Sequence, residues 1–235
     1  MSRVAPNVTN FFERFPAAKE AYASASLYHL THSRYLAGIQ ANGLQTNVEP
    51  FPQEHGAFLL DVYDRYGPNH PSDRHYIQDR ILGSSAIFLS AVQPNMEGRL
   101  DYGVPERLLV LMRSMAALAT KENLTDGERN FAAAALEEHR QALSAGDPAI
   151  VALEVNPLAP EIVNHRLGHP ELDEIRDPEI AVETMRYVDG NYSSNIGVAG
   201  AIEPEFISEF GRTPFDPATT LSSINTVPSW VASIR

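Results

Sequence analysis

Residues 27–44 read LYHLTHSRYLAGIQANGL, and the change of rhythm inside this stretch decides what kind of fold to expect. Leu27 and Tyr28 open as a short, apolar, strand-like pair. From Ser33 to Gln40 the apolar residues Tyr35, Leu36 and Ile39 recur at helical spacing, and Asn42-Gly43 ends that helix as a C-terminal cap does. A strand therefore passes straight into a helix. His29, Thr31 and His32 stand at the junction, so polar side chains gather at a strand end.

Outward from this stretch, short strands alternate with loops and helices. Before it, NFFERFPAAKEAYASAS has a weak helical pattern broken by Pro16. After it, residues 45–83 are polar and carry Pro50, Pro52, Pro68 and Pro71, which predicts loops with one short helix around 72–82. SSAIFLSAV (84–92) reads as a buried strand. Pro105 is a first-turn residue for a helix over 105–119. Thr125 and Glu128 make a capping box for a second helix over 125–143. AIVALEVNP (149–157) is a strand ended by Pro157. Residues 178–188 fit either helix or strand. NIGVAGAIEPEFISEF (195–210) reads as strand, turn and a short helix starting near Pro204, and the tail from 211 is expected to pack irregularly. This order lacks regular βαβ alternation and predicts an α+β fold, with 105–143 as an added helical pair.

Composition narrows the chemistry. The 235 residues are 43% hydrophobic and 20% charged, which suits one domain over 1–235. There is no cysteine, which removes disulfides, zinc–thiolate sites and cysteine nucleophiles together. The net charge of −12 argues against a general nucleic-acid coat, although a local basic groove stays open. No run of 18 apolar residues spans a membrane. The opening MSRVAPNVTNFF lacks the layout of a signal peptide, so the expected location is the cytoplasm, or export as an effector without a classical signal. Glu161, His165 and His169 are spaced by four, but Gly168 and Pro170 argue against one helix there, and no metal site is expected.

YHLTHSRYLAGIQANGL resembles the first motif of the ADP-ribosyltransferase superfamily. The likeness rests on Tyr28, His29 and Thr31, followed by Leu36, Ile39, Gly43 and Leu44. The His-x-Thr-His wording is similar to that of DarT-type DNA-modifying toxins, with the tRNA 2′-phosphotransferases more distant. AIFLSAV looks like the second motif, NIGVAGAIEPEFI like the third, and VALEVNP lies between them in the superfamily's order. The resemblance implies a split, mostly antiparallel β core and NAD⁺ as substrate. It implies transfer of ADP-ribose to a protein or nucleic-acid acceptor, in a toxin or effector. His29 and Thr31 would clamp the cofactor, and Phe88 and Ser90 would wall the nicotinamide pocket. Two departures stand out. Phe88 replaces a common tyrosine, which keeps the stacking and loses a hydroxyl. Asn195 stands where the third motif commonly offers glutamate, and an amide supplies no negative charge. The catalytic position is then Asn195 itself, or the carboxylate comes from Glu183 in AVETMRYV. The alternatives are an inactive relative that binds NAD⁺ or a nucleotide, and an RNA 2′-phosphotransferase-like enzyme.

Overall fold

The computed structural model describes residues 3–46, 52–68, 74–75, 77–78, 86–94, 104–191, 195–216 and 229–234, with the backbone alone at 104–108, 185–191 and 195. Its strands are β1 (Leu27–His32), β2 (Ile87–Ser90), β3 (Ala149–Val155), β4 (Asn195–Val198) and β5 (Ile207–Pro214). They form one sheet in the order β4-β2-β1-β3-β5, and every neighbouring pair is antiparallel. The helices are α1 (Pro6–Arg14), α2 (Pro16–Ala23), α3 (Ser33–Asn42), α4 (Gln53–Tyr66), α5 (Val104–Leu118), α6 (Asp126–Ser144), α7 (Pro160–Leu167), α8 (Pro178–Asn191) and the short α9 (Ser229–Ser233). The molecule is α+β, as the order of elements predicts.

Local sequence explains most of these elements. Pro16 separates α1 from α2 and begins the second. At α6 both halves of the capping box are made: the Thr125 hydroxyl accepts from the Glu128 N–H, and the Glu128 carboxylate accepts from the Thr125 N–H at 2.7 Å. The buried stripe of α6 runs Ala132, Ala135, Leu136, His139 and Leu143, the spacing of one helix face. Its alanines let α6 lie close along α5. Together with α4 and α9 this pair builds a cluster that reaches Leu30 and Ile150, at one end of one sheet face. The opposite face packs Leu27, Leu89, Leu153 and Ile196 beneath α3, α7 and Ile202. A third cluster joins α1 and α2 to α7 and α8.

Two segments differ from expectation. The region 45–83 holds the 14-residue helix α4, where loops are predicted. Pro52 is its N-cap residue, so the prolines mark a helix start, and the buried His55, Leu59, Val62 and Tyr63 follow helical spacing. The short helix expected around 72–82 falls mostly outside the described residues. A short helix starting near Pro204 and an irregular tail from 211 are expected, but only a three-residue 3₁₀ turn forms at Pro204–Phe206, and residues 207–214 are β5. It is an edge strand with an exposed pattern, so it shows no apolar alternation, and Gly211 and Pro214 are tolerated there. Residues 178–188, open between helix and strand, are helical.

Candidate functional site

β1 pairs with β3 at all six residues from Leu27 to His32, and β2 with β4 at all four from Ile87 to Ser90. Between β1 and β2 the ladder has a single rung, Tyr28↔Ser90. This is the shortest ladder in an otherwise continuous five-stranded sheet. Half-buried His29 follows that rung on β1, with Nδ1 3.0 Å from the Phe88 carbonyl oxygen. A carbonyl only accepts, so Nδ1 carries the proton and donates, which makes Nε2 an acceptor in the neutral ring. A side-chain hydrogen bond thus joins β1 to β2 beside the rung.

The pairings also define a transverse row: Asn195, Ser90, Tyr28, Glu154 and Ser208 are successive partners across β4, β2, β1, β3 and β5. Strand alternation puts Phe88, two residues from Ser90, on the same face as Ser90 and Tyr28. It puts His29 and Thr31 on the other face, with Leu27. Thr31 is 1% exposed, so protein encloses its side chain. Phe88 and Ser90 are half-buried. The Ser90 hydroxyl donates to the Val92 carbonyl and accepts from the Val92 N–H, closing a turn that ends β2. Glu183 is exposed on α8, whose main packing partner is α2. The structure therefore brings His29 to Phe88, and Ser90 to the backbone of Asn195, while Glu183 belongs to a helix rather than to the sheet.

Two residues of this region escaped the sequence reading. Glu154 is the single charge in the apolar run AIVALEV, which was the signal available for it. It is half-buried, opposite Tyr28, and its Oε1 accepts from the Ser26 hydroxyl at 2.5 Å. Phe210 lies where the β3–β5 register shifts at Ala152/Leu153, and its ring meets Tyr28 edge-on at 5.2 Å. Small Ala152 and Gly211, paired between them, leave room for the two rings to meet across β3. Bulges of this kind re-aim side chains and recur beside active sites.

A separate cavity of about 110 Å³ lies beside α7 and the 201–206 segment, lined by Glu161, Ile202, Glu203, Glu205 and Phe206 among others. It sits on the side of the sheet that α7 covers, and it has room for a few waters rather than a dinucleotide. Among the described residues no three His, Asp or Glu side chains group as a metal site. No described helix is long and apolar enough to cross a membrane. No protein-family model, no curated protein and no solved structure matches the chain.

Proposed function

We propose that the chain is an NAD-dependent mono-ADP-ribosyltransferase, passing ADP-ribose to a protein or nucleic-acid acceptor in the manner of a toxin or effector. One topological observation carries the reading. The three segments that resemble the superfamily's motifs lie far apart in sequence, yet they form the consecutive strands β1, β2 and β4, and the first two share a single rung beside which His29 bonds to the Phe88 carbonyl. This lightly laddered seam is the place proposed for a bent dinucleotide. His29 holds a ribose hydroxyl of the adenosine half, and enclosed Thr31 fixes the strand end beneath it. Phe88 stacks on nicotinamide, with Ser90 beside it. Asn195 orients the nicotinamide ribose but cannot offset the positive charge that develops on it. That deficit favours a second reading, an inactive relative that binds NAD⁺ or a nucleotide. A 2′-phosphotransferase ranks behind both, because no Arg-x-His-x-His cluster follows Leu44.

Replacing His29 by alanine is expected to weaken NAD⁺ binding by about tenfold, the usual worth of one well-placed hydrogen bond. The melting temperature should move by only a few degrees. Calorimetric titration of both proteins checks this, and equal affinities would remove His29 from the site.

A further inference from the structure

We infer that Glu154 is the catalytic carboxylate of this site, resting on the NAD⁺ reading above. The deficit at Asn195 asks for a negative charge on the sheet, and register supplies it. Of the residues that the five strands place on the Phe88–Ser90–Tyr28 face, Glu154 is the one acid; Glu209, the other acid of these strands, alternates to the opposite face and pairs with Arg212 at 2.8 Å. Glu154 shares a transverse row with Ser90 and Asn195, two strands from Ser90, roughly 10 Å at ordinary strand spacing. Its carboxylate is oriented: Ser26, one residue before β1, donates to Oε1, and the second oxygen has its own lone pairs for a ribose hydroxyl. Tyr28 stands between Glu154 and Ser90 in the row, and its ring is drawn toward Phe210 on β5.

The chemistry balances without a further reagent. The bond between ribose C1′ and the nicotinamide nitrogen breaks heterolytically. Its electron pair stays on nicotinamide, which leaves neutral, and positive charge passes to C1′ and the ring oxygen. The Glu154 carboxylate faces that charge. The acceptor's lone pair then bonds to C1′ and the acceptor's proton is released. With water as acceptor, NAD⁺ and water give ADP-ribose, nicotinamide and one proton. Ser26 is a positioning residue, acting through Glu154.

The test is nicotinamide release with NAD⁺ and the full chain, with NAD⁺ affinity and melting temperature measured beside it. Glu154→Gln keeps the shape and the bond from Ser26 while removing the charge. It is expected to lower release on the order of 10²–10³-fold at an NAD⁺ affinity within twofold of wild type. Release within threefold of wild type would overturn the assignment and leave the transferase reading standing. Release lost on Glu183→Gln but kept on Glu154→Gln would overturn it in favour of Glu183. If the wild type binds NAD⁺ without releasing nicotinamide, both the assignment and the transferase reading fall and the binding reading remains. If it does not bind NAD⁺, all three fall. Should Glu154→Gln fail to fold, Glu154→Asp and Ser26→Ala decide. Each is expected to slow release about tenfold at unchanged affinity, and unchanged release in both would overturn the assignment.

Discussion

Acidification from pH 7 to pH 4 is expected to cost roughly 3 kcal/mol of stability for each of two buried histidines, His32 and His139. His139, 2% exposed, lies in the stripe of α6 and meets His55 of α4 with 2.9 Å between ring nitrogens. Burial, then His55 and the Arg34 charge, lowers its pKa to about 4. His32, 1% exposed, ends β1 and accepts from the Arg34 N–H, and burial followed by the Arg34 charge also takes it to about 4, against a smaller opposing pull from the Leu143 carbonyl. Both folded values lie below the unfolded value of 6.5. The unfolded chain therefore binds more protons between pH 6.5 and 4, so stability is complete above 6.5 and falls as the pH drops through that window. A loss of this size is a large part of the about 5–15 kcal/mol that holds an ordinary domain. Urea titrations at pH 7, 5.5 and 4 measure it. In the same series His139→Gln should flatten the slope by about one proton, since carboxylates titrate alike in both proteins. An unchanged slope would mean that His139 is not held neutral.

Alanine at Gly43 is expected to destabilise the protein by about 3 kcal/mol or more, lowering the melting temperature by roughly 6–12 °C for a chain of this size. Gly43 caps α3 at φ +74° and ψ −172°, backbone that favours glycine. An added Cβ would lie 2.0 Å from the Ile202 carbonyl oxygen. That oxygen accepts from the Leu44 N–H at 2.9 Å, and the Ile202 N–H donates to Leu44 in return. This two-bond bridge pins the 199–206 segment over the apolar sheet face, and it cannot shift without being broken. Gly38, on the same helix with nothing within 4 Å of an added Cβ, is the control. Alanine there should be neutral or slightly stabilising, because it favours the helix. Similar melting temperatures for the two variants would mean that the Leu44–Ile202 bridge is dispensable.

What the sequence made legible was local. The cap at Asn42-Gly43, the Thr125–Glu128 box and the apolar runs of β2 and β3 each declare themselves within a few residues, and the structure has them in place. α4 was hidden because Pro50 and Pro52 signal a break equally well before a helix as within a loop. β5 was hidden because an exposed edge strand shows no apolar alternation. The candidate site was legible only in part, for a related reason. Motif spacing points to His29 and Phe88, and their hydrogen bond follows from adjacent strands. Which residues share a face, and which carboxylate lies in the row of Ser90 and Asn195, depends on the register of five strands drawn from across the chain. Glu154 is 126 positions after Tyr28, and no local pattern sets them opposite one another.

The most direct measurement is a crystal structure of the full chain with NAD⁺, or with an unreactive analogue of it. The dinucleotide is expected at the seam between β1 and β2, with a ribose hydroxyl on His29 and the nicotinamide ring stacked on Phe88 at about 3.5–4 Å. NAD⁺ bound elsewhere, for example beside Glu161 and Glu203, or no NAD⁺ at that seam at saturating concentration, would contradict it.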